Sequence, residues 1–307
     1  MVGVAYHAGV LRALREETGV DPADADLIVG TSAGSVVASY LRSGHDVGEL
    51  WELALGTHPS MEGLGATPTQ RRAKLSYNPT FSTSSELVQR MIGSGFVAAR
   101  SVVRFPTPRL PEFLHALLYA GLFSMEEAES RFARDLPEDW PVGLAICAVD
   151  IGTGRRTVFG PDASVATPAQ AVMASCAIPG FYVPVRIAGH TYVDGGVHSP
   201  TNLDVAVRLG CDLVLGIAPM AYDPLDDIDT VSRLSRRIGH RALLSETRSA
   251  RRRGAEVLLI RPTLADVRNQ GFNPMRADGA ESVAMSAYDS ACRILATDRF
   301  RLALHDI

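Results

Sequence analysis

The sequence predicts an α/β protein: one domain built on a mainly parallel sheet, with helices on both faces and a cap-like helical insertion. Three observations lead there. Short continuous apolar runs at 144–149, 213–217 and 256–260 read as buried strands. Stretches of helical periodicity alternate with them, as in a sheet built by crossover connections. The chain has 307 residues, 46% of them apolar, which gives ample core. No internal repeat or clean linker divides it, so 1–307 reads as a single domain. Within it, 56–140 is the insertion and 220–307 supplies C-terminal helices and a strand.

Residues 7–18 form the first helix, with Val10, Leu11 and Leu14 on one face and Gly19 as its stop. The run Asp26-Leu27-Ile28-Val29 is a strand, and the helix after it ends near Gly44. Residues 56–110 are rich in Gly, Pro, Ser and Thr and read as irregular segments and short helices, with Ser82 to Ser85 capping a helix before Glu86. The segment 111–123 is helical in pattern. Its apolar set (Phe113, Leu114, Leu117, Leu118, Leu122, Phe123) either packs on the core or meets lipid. A further helix starts at Ser124-Met125-Glu126-Glu127. Gly152-Thr153-Gly154 turns the strand 144–149 into a second strand, 156–159, with Arg155 and Arg156 at the surface. Residues 168–177 form a helix of small residues, and Tyr192-Val193-Asp194 ends a strand. Helices are expected at 204–209, 229–253 and 277–297. Arg251, Arg252 and Arg253 either cap a helix C-terminus, where cations meet the dipole, or bind phospholipid headgroups.

Net charge of −4 argues against nucleic acid as the main partner. Of the 30 basic residues only Lys74 is a lysine. Cys147, Cys176, Cys211 and Cys292 are scattered and read as small buried hydrophobes of a reducing compartment. No metal or cofactor is implied. No apolar run is long enough to span a bilayer. The first residues lack a charged stretch followed by an apolar one. A cytoplasmic location is expected, with peripheral contact at the inner membrane face left open.

The chemistry centres on Gly30-Thr31-Ser32-Ala33-Gly34, between the strand 26–29 and the helix that begins at Ser35. A G-x-S-x-G turn joining strand to helix is a nucleophile elbow. It lifts the Ser32 hydroxyl onto a helix N-terminus, where the dipole favours developing negative charge. Side chains at Gly30 or Gly34 are expected to collide with strand and helix. A serine nucleophile needs a base. About 160 residues on, Asp194 ends a strand and is followed by Gly195 and Gly196, a loop able to hold its carboxylate at the sheet rim.

This pair resembles the patatin-like phospholipases: G-T-S-A-G-S after a short apolar strand, then D-G-G after a later one. His7-Ala-Gly-Val-Leu-Arg-Ala-Leu looks like that family's first helix, and Ala174 to Phe181 followed by Pro184 resembles the segment before its D-G loop. The resemblance covers roughly residues 1–220. It implies a three-layer fold and hydrolysis of acyl esters of phospholipids or other lipids. Ser32 would be the nucleophile and Asp194 the sole base of a dyad, with no metal. A Ser-Asp-His triad fits less well, because His198 follows Asp194 by only four residues and His240 lies mid-helix.

The family pattern also has a glycine-rich loop before the first helix, whose N–H groups make the oxyanion hole. Here Gly3 aligns with its last glycine and Val2 stands where a basic residue is common. Two expectations follow. Either the natural protein starts upstream of Met1, or the chain is a catalytically impaired relative that binds lipid, with only the Ala33 N–H and the helix dipole facing the oxyanion.

Overall fold

The computed structural model describes residues 2–76, 78–80, 121–161, 165–223, 225–271, 273 and 275–305. Helix α1 (Val2–Thr18) starts earlier than the periodicity indicates, because Val2, Ala5 and Tyr6 are already buried at its beginning. Strand β1 (Ile28–Thr31) leads into α2 (Ala33–Arg42). Then come α3 (Val47–Leu55), opened by the Asp46–Glu49 capping box, and α4 (Pro68–Ser76). β2 (Asn78–Pro79) pairs antiparallel with β3 (Phe123–Ser124). Residues 81–120 lie outside the described residues, and with them the expected cap at Ser82 to Ser85 and most of the apolar segment 111–123. The end of that segment is strand rather than helix. The Leu122 and Phe123 N–H groups both donate to the Phe181 carbonyl, at 2.9 and 3.0 Å, and tertiary pairing overrides the helical pattern. Helix α5 (Glu126–Asp135) follows as the sequence indicates.

Strand β4 (Leu144–Asp150) is buried along its whole length. β5 (Arg155–Phe159) pairs with one edge of it, antiparallel. The other edge is shared. β1 occupies its first half, parallel, with Thr31 opposite Cys147. After α6 (Pro168–Cys176) and β6 (Val185–Ile187), strand β7 (His190–Asp194) takes the second half, antiparallel, with Asp194 opposite Ala148. The carboxyl ends of β1 and β7 therefore meet head-on along one edge of β4.

This sheet is mixed rather than mainly parallel, a correction to the sequence expectation. Short connections enforce it, since parallel neighbours need long crossovers. The turn 151–154 joins β4 to β5. The two-residue turn Ala188-Gly189 joins β6 to β7, with φ of 48° and 83°, the doubly left-handed geometry that tight hairpins favour. After α7 (Asp204–Arg208), a second, two-stranded sheet pairs β8 (Leu213–Ile217) with β9 (Glu256–Ile260) in parallel, with α8 (Thr230–Arg252) as its crossover. The chain closes with α9 (Leu264–Gln270), α10 (Ala280–Leu295) and α11 (Asp298–Leu304); α9 and α11 lack a sequence pattern long enough to announce them.

Packing follows the pleat. Leu144, Ile146 and Ala148 of β4 face Val37, Tyr40 and Leu41 of α2 and Ala171, Val172 and Ala174 of α6. Val257 of β9 faces α8 through Leu243 and Ala250, whereas Leu258 and Ile260 face α1 and α10. Helices thus cover both sides of the β8–β9 pair. α1 and α10 approach through small residues: a Cβ built on Gly9 would lie 2.2 Å from the Ala284 carbonyl oxygen and 3.0 Å from the Ala287 Cβ. Gly9→Val is expected to force these helices apart and cost about 1–3 kcal/mol. Thermal unfolding reads this directly, and an unchanged midpoint contradicts the close crossing.

Candidate active site

Ser32 sits between β1 and α2 with φ 51° and ψ −123°, a left-handed backbone on a non-glycine residue. Such a conformation costs on the order of 1–3 kcal/mol and persists only where neighbours enforce it. Three do so. α2 folds back so closely that a Cβ on Gly30 would lie 2.5 Å from the Ser35 Cα. The Ser35 hydroxyl donates to the Ser32 carbonyl at 2.6 Å. The Ser32 N–H donates to the Ser175 hydroxyl oxygen at 2.8 Å, and that hydroxyl donates to the Cys147 carbonyl at 2.7 Å. Ser175, fully buried on α6, rivets the elbow to the central strand. The expected collision at Gly34 is absent, since a Cβ there would stand 3.5 Å from His7 Nε2, an ordinary contact.

Asp194 arrives from the opposite direction. Its backbone continues into Gly195, where a Cβ would lie 2.2 Å from the Cys147 carbonyl oxygen, so only glycine fits. The carboxylate accepts from the Gly196 N–H at 2.7 Å, and the Ser32 hydroxyl lies close enough to favour its charged form. Asp194 is 6% exposed. Burial pushes its carboxyl up to about 6, against the opposing pull of the nearby Ser32 hydroxyl and the Gly196 N–H. The adjacent Cys176 thiol is pushed up to about 12 by burial and is not a reactive thiolate.

A polar cluster on the other face of β4 ties the two strand ends together. Asn202, fully buried with φ 45°, donates from Nδ2 to the Thr31 hydroxyl at 2.9 Å and to the Ser199 carbonyl at 2.6 Å. Its Oδ1 accepts from Arg156 Nη1 at 2.9 Å. Arg156, expected at the surface, instead forms a buried two-pronged pair with Asp204 at 2.7 and 2.8 Å. The pleat turns alternate residues of β5 inward, and the guanidinium finds its carboxylate there. Glu246 of α8 accepts from the Thr201 hydroxyl at 2.8 Å and the Leu203 N–H at 3.0 Å, gripping Asn202 from both sides.

Gly3 lies in the first turn of α1 and packs on the elbow; a Cβ there would fall 2.7 Å from the Ala33 Cβ. Its carbonyl is 2.7 Å from His7 Nδ1, which places the ring proton on Nδ1 and leaves Nε2 facing Gly34. The N-termini of α1 and α2 thus converge beside Ser32. His198 lies exposed beyond the D-G-G turn, and His240 is buried in α8 against Tyr222, ring centroids 4.5 Å apart. A largely apolar cavity of about 170 Å³ opens next to Ser32, walled by Val36, Val37, Leu53, Phe132 and Ile178.

Ser175, Asn202 and His7 escaped the sequence reading. Ser175 lies inside the Ala-Ser-Cys-Ala segment but looks like any small helical residue. Asn202 and His7 carry no local pattern, because their partners are distant in the chain.

A profile described as patatin-like phospholipase matches residues 2–207, more than half of the chain, and the chain belongs to that family. Among solved structures, the crystal structure of VipD from Legionella pneumophila is similar at 14% sequence identity with a TM-score of 0.43. The match covers 96% of this chain and 65% of VipD, so the chain spans less than two thirds of that protein.

Asn202→Gly tests the polar cluster. Glycine keeps the left-handed backbone but strands the Thr31 hydroxyl and Arg156. A loss of at least about 2 kcal/mol in chemical denaturation is expected. A change below about 0.5 kcal/mol contradicts the tie.

Proposed function

We propose that this chain is a lipid acyl hydrolase working through a Ser32–Asp194 dyad. The observation that carries this reading is a buried carboxylate set beside the Ser32 hydroxyl at a strained strand–helix elbow. The family supplies the substrate class, acyl esters of lipids, and the apolar cavity beside Ser32 suits an acyl chain. No helix among the described residues is long and apolar enough to cross a membrane.

In this mechanism Asp194 takes the hydroxyl proton as Ser32 Oγ attacks the ester carbonyl carbon. The carbonyl oxygen becomes an oxyanion. The unpaired first-turn N–H groups of α2 at Ala33 and Gly34 and those of α1 near Gly3 would face it. Collapse expels the alcohol, which takes the proton from Asp194, and leaves an acyl-serine. Water, deprotonated by Asp194, then attacks the acyl carbon; Ser32 regains a proton and the fatty acid leaves. Burial suits Asp194 to this role, because a carboxyl near 6 is a stronger base than an exposed one and is still ionised at neutral pH.

Ser32→Ala should abolish hydrolysis of p-nitrophenyl esters and labelling by a fluorophosphonate while leaving the fold intact. Turnover in that variant rejects the dyad. A folded wild type that neither turns over nor labels favours the lipid-binding alternative.

The pH dependence has a definite sign. The base must be ionised, so kcat/KM should rise with pH through about 6. Because the folded carboxyl sits above its unfolded value of about 4, the folded state holds the proton more tightly. The stability contribution of Asp194 is therefore greatest in acid and is lost as pH rises through about 6. Asp194→Asn should abolish activity yet raise stability by about 2–3 kcal/mol at pH 8, with little gain at pH 4. Melting curves at the two pH values check this; equal gains at both contradict it.

A further inference from the structure

The outer face of α8 is cationic along its whole length. Arg233, Arg237, Arg241, Arg248, Arg251 and Arg252 are exposed. At 3.6 residues per turn they fall within an arc of about 100°, on a stripe about 28 Å long. Of the other side chains described on that arc, Thr230 and, at its margin, Ser245 are as exposed, and Leu244 is half-buried. The single acid of the helix, Glu246, points inward to Thr201 and Leu203. Arg233 reaches the Ile228 carbonyl at 3.3 Å and Asp227 at 4.0 Å, and Arg251 reaches the Val257 carbonyl at 3.3 Å. Arg237, Arg241, Arg248 and Arg252 make no hydrogen bond or ion pair with other described residues.

Folding alone does not favour this arrangement. Arg233, Arg237 and Arg241 stand four residues apart in series, as do Arg248 and Arg252, and like charges at that spacing repel. The stripe belongs to a chain of net charge −4, so the remaining surface is acidic on balance. A straight cationic stripe backed by an acidic body complements a planar anionic surface. A plane meets the stripe while the acidic remainder stays beyond a Debye length of about 8–10 Å. A nucleic acid wrapping the protein would meet that acidic remainder too.

We propose that α8 docks this protein onto anionic phospholipid bilayers. The choice of a bilayer rests on the lipid-hydrolase reading; the stripe itself does not. Among the side chains described on the arc none is large, apolar and exposed, and attachment is by headgroup electrostatics. It needs anionic lipid and is reversed by salt.

The test is cosedimentation of the full chain with phosphatidylcholine vesicles, with and without phosphatidylglycerol. Wild type should bind only the anionic vesicles and release at 1 M salt. The variant Arg237→Gln/Arg241→Gln/Arg248→Gln/Arg252→Gln should bind at least about 100-fold more weakly. Its circular dichroism and its hydrolysis of a soluble p-nitrophenyl ester should be unchanged. Equal binding to neutral vesicles, no binding to either, full binding by the variant, or preference for duplex DNA over anionic vesicles at matched salt overturns the proposal. The two wild-type assays keep the readings apart: vesicle binding without ester hydrolysis sinks the hydrolase alone, and hydrolysis without vesicle binding sinks the docking alone.

Discussion

Two strand ends meeting on one edge of β4 is the constraint on which the rest of this molecule depends. β1 runs parallel to β4 and stops opposite Cys147; β7 runs the other way and stops opposite Ala148. Residues 162 apart in the chain are thereby brought to neighbouring positions by backbone pairing alone, before any side chain is considered. The Cys147 peptide is the pivot. Its carbonyl receives the Ser175 hydroxyl that holds the elbow, and it leaves no room for anything but glycine at 195. The buried Arg156–Asn202–Thr31 chain closes the same junction from the opposite face.

The junction is strained on one side and electrostatically unfavourable on the other. A left-handed serine and a buried carboxylate each oppose folding; Ser35 and Ser175 hold the first, and the Gly196 N–H holds the second. This is why the junction is dense in small residues and short side-chain bridges. A side chain at position 3 or 30 would collide with α2 at the elbow, and one at 195 with the Cys147 carbonyl.

Much of this was legible in the sequence. The strands at 213–217 and 256–260, the elbow, and Asp194 at a strand terminus followed from apolar runs and glycine placement, because those signals are local. The mixed character of the sheet was not legible. It depends on which edge of β4 each hairpin returns to, and no residue in β6 or β7 records that. The first helix was read too short because its opening residues are small and apolar without clear period. Arg156 was read as surface because a charged residue beside a turn is usually solvated. Its partner Asp204 lies 48 positions away, and pairing over such distances leaves no trace in a single sequence. Asn202 and Ser175 escaped for the same reason.

One feature bears on how such a chain changes over generations. At position 32 the backbone geometry suits glycine better than serine, and at position 194 a neutral side chain would lie more easily in the buried site than a carboxylate. Random substitution at either position therefore has a downhill route, toward a sturdier protein without the proposed dyad. A lineage kept only as an inert scaffold would drift along that route, since nothing would oppose it. The serine and the aspartate stand together in this chain against the gradient of stability.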